Sequence, residues 1–357
     1  MCPPPDAPTV ELFPPAPQIQ TSADDTLQNA LDQAIDDAVL RQGIAAGSFG
    51  VPITIMDITD PLNPYPMAGW KEDEVDYSAS EVKIAVLYGA IALLDMVQRF
   101  VTATNPGSQA ELFLNLQAQM DPFISSCVPA LSTAPGITDT HRLPVYDSVF
   151  TFIGGTVSFA PGYVTSLIRS IVDSNNAESA LCIHGVGYSY LNGTLASGGF
   201  FDAGAQTGVW LAGDFMGGAQ YPSARLVNSL NDGPSAQCST TRSIARLMTA
   251  MVCDCVFDAP LCSAMDIPLS GSAAGADQPW ITRTVPPIID RAVVTHNKLG
   301  VGPLKTGGNV WSEVSVLYAP LAADHRYVVA WQNLRNSVPG FSEMAKIVMA
   351  TLKEYEQ

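Results

Sequence analysis

The stretch that most constrains this chain is Ile84 to Leu94, IAVLYGAIALL, whose one ionisable group is the phenol of Tyr88. A helix built from it has no polar face to give to water, so it must be surrounded by protein or lipid. The run is shorter than the roughly 20 apolar residues that a bilayer crossing takes, which predicts a buried central helix. Lys83 stands at its mouth, with Ser80 three positions earlier and Ser78 or Ser80 placed to cap the start. Positions i and i+3 share a helix face, so a hydroxyl and an amine meet at the entrance.

The remaining sequence can enclose such a helix. Of 357 residues, 47% are hydrophobic and 14% charged, which allows a large core and argues against disorder. The net charge of −17, with no Lys/Arg cluster, argues against nucleic acid or an anionic membrane surface as partner. No transmembrane segment is expected, and MCPPPDAPTVELFPPAPQ has neither a basic nor an apolar leader region. Cys2 followed by prolines resembles the start of a mature bacterial lipoprotein, which would place a lipid anchor on Cys2 and the chain in the periplasm or outside the cell. The other six cysteines, Cys127, Cys182, Cys238, Cys253, Cys255 and Cys262, are enough for three disulfides, with free buried thiols as the alternative.

Residues 1–24 read as a Pro-rich tether. TLQNALDQAIDDAVLRQG reads as an amphipathic helix ended by Gly43, and FGVPITIMDI as a strand. Loops and helices follow the buried helix to about residue 289, after which SEVSVLYAP and RYVVAWQNL return to strand text before a closing helix. This order implies an α/β (α+β) fold. An antiparallel sheet flanked by the N- and C-terminal helices forms one lobe from residues 25–75 and 290–357, with an all-helical lobe, 76–289, inserted. A cleft between two such lobes is a usual place for a substrate.

Two short motifs carry chemistry. Ser80-Glu81-Val82-Lys83 is S-x-x-K, common by chance but here at a helix N-terminus, where the dipole favours developing negative charge. An amine beside apolar surface loses some preference for its charged form, so Lys83 is a candidate base for Ser80. Far downstream, Lys305-Thr306-Gly307 precedes strand text. Glycine lets a strand approach a ligand, and lysine with a threonine hydroxyl can hold a carboxylate.

The two motifs in this order resemble those of the serine β-lactamases and penicillin-binding peptidases, whose set is S-x-x-K, a middle S-x-N or Y-x-N, and K-T-G. The resemblance covers most of residues 25–357, with the class A β-lactamases nearest in layout. It implies Ser80 as acylated nucleophile, Lys83 as its general base, and Lys305 and Thr306 as holders of a substrate carboxylate. Backbone N–H groups of Ser80 and Gly308 would form the oxyanion hole. For the middle motif, Tyr190-Leu191-Asn192 fits Y-x-N, whereas Ser189-Tyr190-Leu191 has leucine where S-x-N needs asparagine. Tyr190 would relay a proton and Asn192 bond the substrate amide.

The expected activity is cleavage of an amide or ester bond in a small-molecule or peptide substrate bearing a carboxylate, through an acyl-enzyme on Ser80. A D-alanyl-D-alanine-type peptidase or esterase, and a non-catalytic binding protein of the same fold, are the alternatives. One departure from the family weighs on turnover. No glutamate occurs between Glu178 and Glu313, where class A enzymes need one to activate the deacylating water, and Asp214 and Asp232 stand in no recognisable form of that loop. Arg291 is a further candidate for carboxylate binding. His141, His184, His296 and His325 are scattered without a ligand signature, so neither a metal nor another cofactor is expected.

Overall fold

The computed structural model describes residues 10–14, 19–45, 47–60, 64–126, 142–216, 226–253, 257–274, 292–320, 324–335 and 338–357. Six strands form the main sheet: β1 (Thr21–Ala23), β2 (Ile53–Asp57), β3 (Tyr65–Trp70), β4 (Val293–Pro303), β5 (Asn309–Pro320) and β6 (Asp324–Arg335). Their spatial order is β1-β3-β2-β6-β5-β4, so both ends of the chain build one sheet and β4 is an edge. All neighbours pair antiparallel except β1 with β3, which run parallel.

Alternation along β6 decides what covers each face. Tyr327, Val329 and Trp331 pack with the flanking helices α1 (Asp25–Gln42) and α8 (Val338–Tyr355). Val328 and Ala330 point the other way, into the core around α2 (Lys83–Thr104). That is the period-2 pattern of a strand buried on both sides. Helix α1 starts where Asp24 Oδ1 accepts from Leu27 N at 2.8 Å and stops at Gly43, whose φ of 65° suits a residue without Cβ.

Helix α2 is long and apolar enough, by composition alone, to cross a membrane, but most of it is buried in the protein. Fifteen of its 22 residues are buried, from Lys83 to Phe100. Around it stand α3 (Pro161–Val172), α4 (Asn176–Val186), α5 (Tyr188–Ser197), α6 (Thr241–Val252) and α7 (Ala259–Ala274).

Two sequence expectations need correction. The Pro-rich segment is not a free tether where it is described. Val10, Leu12 and Phe13 pack on the helical core, Glu11 O accepts from Arg99 Nη1 at 2.8 Å, and Thr21–Ala23 joins the sheet. Apolar residues between the prolines explain this, since they bury area that a tether would leave wet. The three-disulfide framework does not form either, because Cys182 and Cys238 are buried free thiols, whereas Cys262 is disulfide-bonded. Cys2, Cys127, Cys255, His141 and Arg291 lie outside the described residues.

Candidate active site

The entrance to α2 is a tight turn. Residues Ala79–Val82 form a single 3-10 turn that runs into α2 at Lys83. In a 3-10 turn, side chains at i and i+3 eclipse, which puts Ser80 and Lys83 on one side. Ser80 is partly exposed, and among the described residues its hydroxyl has no hydrogen-bond partner. Lys83 is fully buried.

The Lys83 amine is held from the inserted lobe. Nζ donates to Ser174 O at 2.6 Å and to Asn176 Oδ1 at 2.7 Å. It also lies 4.7 Å from the centre of the Phe215 ring. Asn175 caps α4, its side chain accepting from Glu178 N, so the helix start fixes both neighbours at the crevice.

A second buried lysine arrives from the edge strand. Lys298 on β4 donates from Nζ to Ser174 Oγ at 2.9 Å and to Leu299 O at 3.1 Å. Ser174 thus joins both amines, its carbonyl taking Lys83 and its hydroxyl taking Lys298. Two residues along β4, Gly300 lies so close to the Ser78–Glu81 segment that an added Cβ would sit 2.2 Å from Ser78 O and 2.8 Å from Glu81 N. Only glycine allows this approach. Gly300→Ala should therefore lower stability by about 3 kcal/mol or more, read as the shift in chemical denaturation midpoint at unchanged m-value.

Backbone strain gathers at the same place. Seven described non-glycine residues have positive φ, and three of them, Ala79 (53°), Ser174 (52°) and Phe215 (66°), surround Lys83 or precede Ser80. Each costs on the order of 1 kcal/mol or more, and such strain clusters at functional sites.

The other residues expected from sequence lie elsewhere. Lys305, Thr306, Gly307 and Gly308 form the exposed turn between β4 and β5, not a strand. Gly307 and Gly308 take φ of 90° and 80° because the turn needs them, and Gly308 O accepts from Leu304 N. Lys305 is 61% exposed and bonds the carbonyls of Asp232 and Pro234, while its backbone N donates to Asp232 Oδ1 at 2.6 Å.

Ser189, Tyr190 and Asn192 are buried in α5 as structural pins. Tyr190 donates to Ala92 O at 2.9 Å, Asn192 Nδ2 to Leu211 O at 2.7 Å, and Arg142 Nε to Ser189 Oγ at 3.2 Å. The S-x-N spacing that does face Lys83 is Ser174-Asn175-Asn176, and the K-x-G on the edge strand is Lys298-Leu299-Gly300. Asp214, the acid beside Phe215, is buried, accepts from Met216 N through Oδ1, and lies 3.5 Å from His184 Nε2. No cluster of metal-ligating side chains exists among the described residues.

No family model matches the chain, and no curated protein matches it in sequence. Solved structures do match in fold. A class A β-lactamase from Bacteroides cellulosilyticus aligns over 92% of this chain and 99% of its own, at 14% identity and a TM-score of 0.53. A β-lactamase from Chitinophaga pinensis aligns over 92% and 100%, at 13% identity and 0.54. A class A β-lactamase from Mycobacterium abscessus gives 93% and 100%, 15% and 0.51. The chain has a serine β-lactamase-like fold.

Proposed function

We propose that this protein is a serine acyl-transferring hydrolase that opens an amide or ester bond, β-lactams included, and forms a slowly released acyl-enzyme on Ser80. The observation that carries the reading is Ser174 held between two buried lysines, beside a partly exposed serine at a helix start. Ser80 Oγ attacks the carbonyl carbon while Lys83 takes its proton. Lys298 donates to Ser174 Oγ, which leaves the Ser174 O–H to protonate the departing nitrogen or oxygen, and the proton taken up by Lys83 passes to Ser174 in its place. Breaking that bond leaves an ester on Ser80. Backbone N–H groups of Ser80 and of Val301, next after Gly300, are the candidate oxyanion donors.

Slow release follows from the segment over Lys83. Between Phe200 and Asn231 its only acids are Asp202 and Asp214. Asp202 caps Gly204 N and Ala205 N, and Asp214 is turned to His184 and Met216 N. Among the described residues of this segment, the Phe215 ring lies against Lys83, and a phenyl ring cannot draw a proton from water. Leu299 also departs from the family pattern: it stands where a threonine hydroxyl is implied for a substrate carboxylate, and its side chain is buried with the α1 and α8 core. That favours esters and peptides alongside carboxylate-bearing lactams.

The test is a chase. Wild-type protein is labelled with a penicillin, excess reagent is removed, and the acyl mass is followed with time. The expected result is one equivalent of adduct persisting for minutes or longer, with a chromogenic cephalosporin giving a stoichiometric burst and a slow steady rate. Many turnovers per second would rule out slow release, and no adduct from any lactam or ester would rule out the acyl-enzyme.

A further inference from the structure

Next to Ser80 stands Glu81, fully buried and unused by the chemistry above. Gln332 on β6 donates from Nε2 to Glu81 Oε2 at 2.6 Å and to Ser239 Oγ at 2.7 Å. Ser239 Oγ in turn lies 2.7 Å from Ser78 Oγ. The second oxygen of each group is the anomaly. Glu81 Oε1 and Gln332 Oε1 are both buried, and among the described residues neither has a hydrogen-bond partner. An ionised carboxylate is an acceptor only, as is an amide oxygen, so a charged Glu81 leaves two unsatisfied acceptors on groups already joined by one bond. Turning the amide over does not help, because it sets its oxygen against Glu81 Oε2 instead. One proton on the carboxyl supplies the donor that this pair of acceptors lacks.

We infer that Glu81 is a neutral acid locked to the Gln332 amide by two reciprocal hydrogen bonds, and that this pair is the positioning device for Ser80. The turn needs such a hold, since Ala79, just before Ser80, is in the left-handed region. Ser312 Oγ donates to Ser78 O at 2.6 Å on one side of that strained residue, and Glu81 ties the other side to a central strand. The charged groups acting on Glu81 are Glu313 on β5, which favours the neutral acid as burial does, and Lys298 on β4, which opposes it. Asp76, on the segment leading into the turn, is likewise pushed up to about 7 by its burial.

The consequence for catalysis rests on Ser80 being the nucleophile; the paired proton does not. Two measurements separate them on Glu81→Gln, which keeps both hydrogen bonds without a titrating proton, and on Glu81→Leu and Gln332→Leu, which remove them. The first is thermal unfolding from pH 5 to 8.5. Unfolded Glu81 ionises in the ordinary carboxyl range while the folded acid stays neutral, so the folded chain holds the extra proton and loses stability as pH rises. Wild type should fall behind Glu81→Gln by roughly 2 °C per pH unit until the folded group itself ionises. A gap that does not change with pH would mean that Glu81 is already charged.

The second measurement is the rate of Ser80 acylation by a penicillin and by a fluorophosphonate. Glu81→Gln should stay within about threefold of wild type, and the two leucine variants should each lose about tenfold or more at unchanged circular dichroism. Leucine variants that acylate like wild type would overturn the positioning role. If no probe acylates even wild type, the nucleophile reading fails, and the unfolding comparison still decides the protonated pair.

Discussion

A Ser80→Ala protein gains no mass from a penicillin or a fluorophosphonate, whereas wild type gains one equivalent of either; that is the expected result of intact-mass measurement. The effect should be close to complete, because the described residues offer no second hydroxyl in a comparable setting. Ser174 has its oxygen engaged by Lys298, and Ser78 and Ser239 are buried against each other. Lys83→Met tests the other half of the pair. It removes the proposed base while filling the buried volume, and acylation should slow by roughly 10²–10⁴-fold. A Lys83→Met protein that acylates at the wild-type rate would show that some other group takes the Ser80 proton. Labelling of Ser80→Ala at full stoichiometry would move the nucleophile elsewhere and end the case for this crevice.

The same residues show how far the sequence could lead. An all-apolar run has one solution in a protein of this composition, so α2 was legible, and Ser80 with Lys83 was legible because i, i+3 spacing is local. The more distant partners were not. Lys305-Thr306-Gly307 matches a three-letter pattern, but Lys-Thr-Gly-Gly-Asn is also what a hairpin turn asks for, with two glycines at positive φ. The strand that lies against the Ser80 turn carries leucine at the centre, and what singles it out is Gly300, whose need appears only once Ser78 O is seen against it. Tyr190 and Asn192 are not brought together at Lys83, for a reason open to sequence reasoning: two apart on a helix, they cannot share a face. Ser174-Asn175-Asn176 satisfies S-x-N literally, with Asn175 as a helix cap, and could have been found by asking which match precedes a helix rather than lies inside one.

The two lysine motifs make opposite forecasts, and the difference is large enough to measure simply. On the edge strand, Lys298 is fully buried and holds the Ser174 hydroxyl, the proposed proton donor to the leaving group. Lys298→Met keeps most of the volume, removes the charge and releases Ser174 Oγ, so acylation should fall by roughly 10²-fold, about 2.7 kcal/mol of barrier. Lys305 is on an exposed turn, its charge screened by water and paired with Asp232 at 3.6 Å. A surface pair of that kind contributes about 0–1 kcal/mol, so Lys305→Ala should change acylation by less than about twofold and move stability only slightly. Second-order acylation rates for both variants, with unfolding midpoints as a check on folding, decide between them. Should Lys305→Ala abolish acylation while Lys298→Met leaves it intact, the crevice along β4 is not where the carbonyl is attacked, and Ser174 loses its place between the two amines.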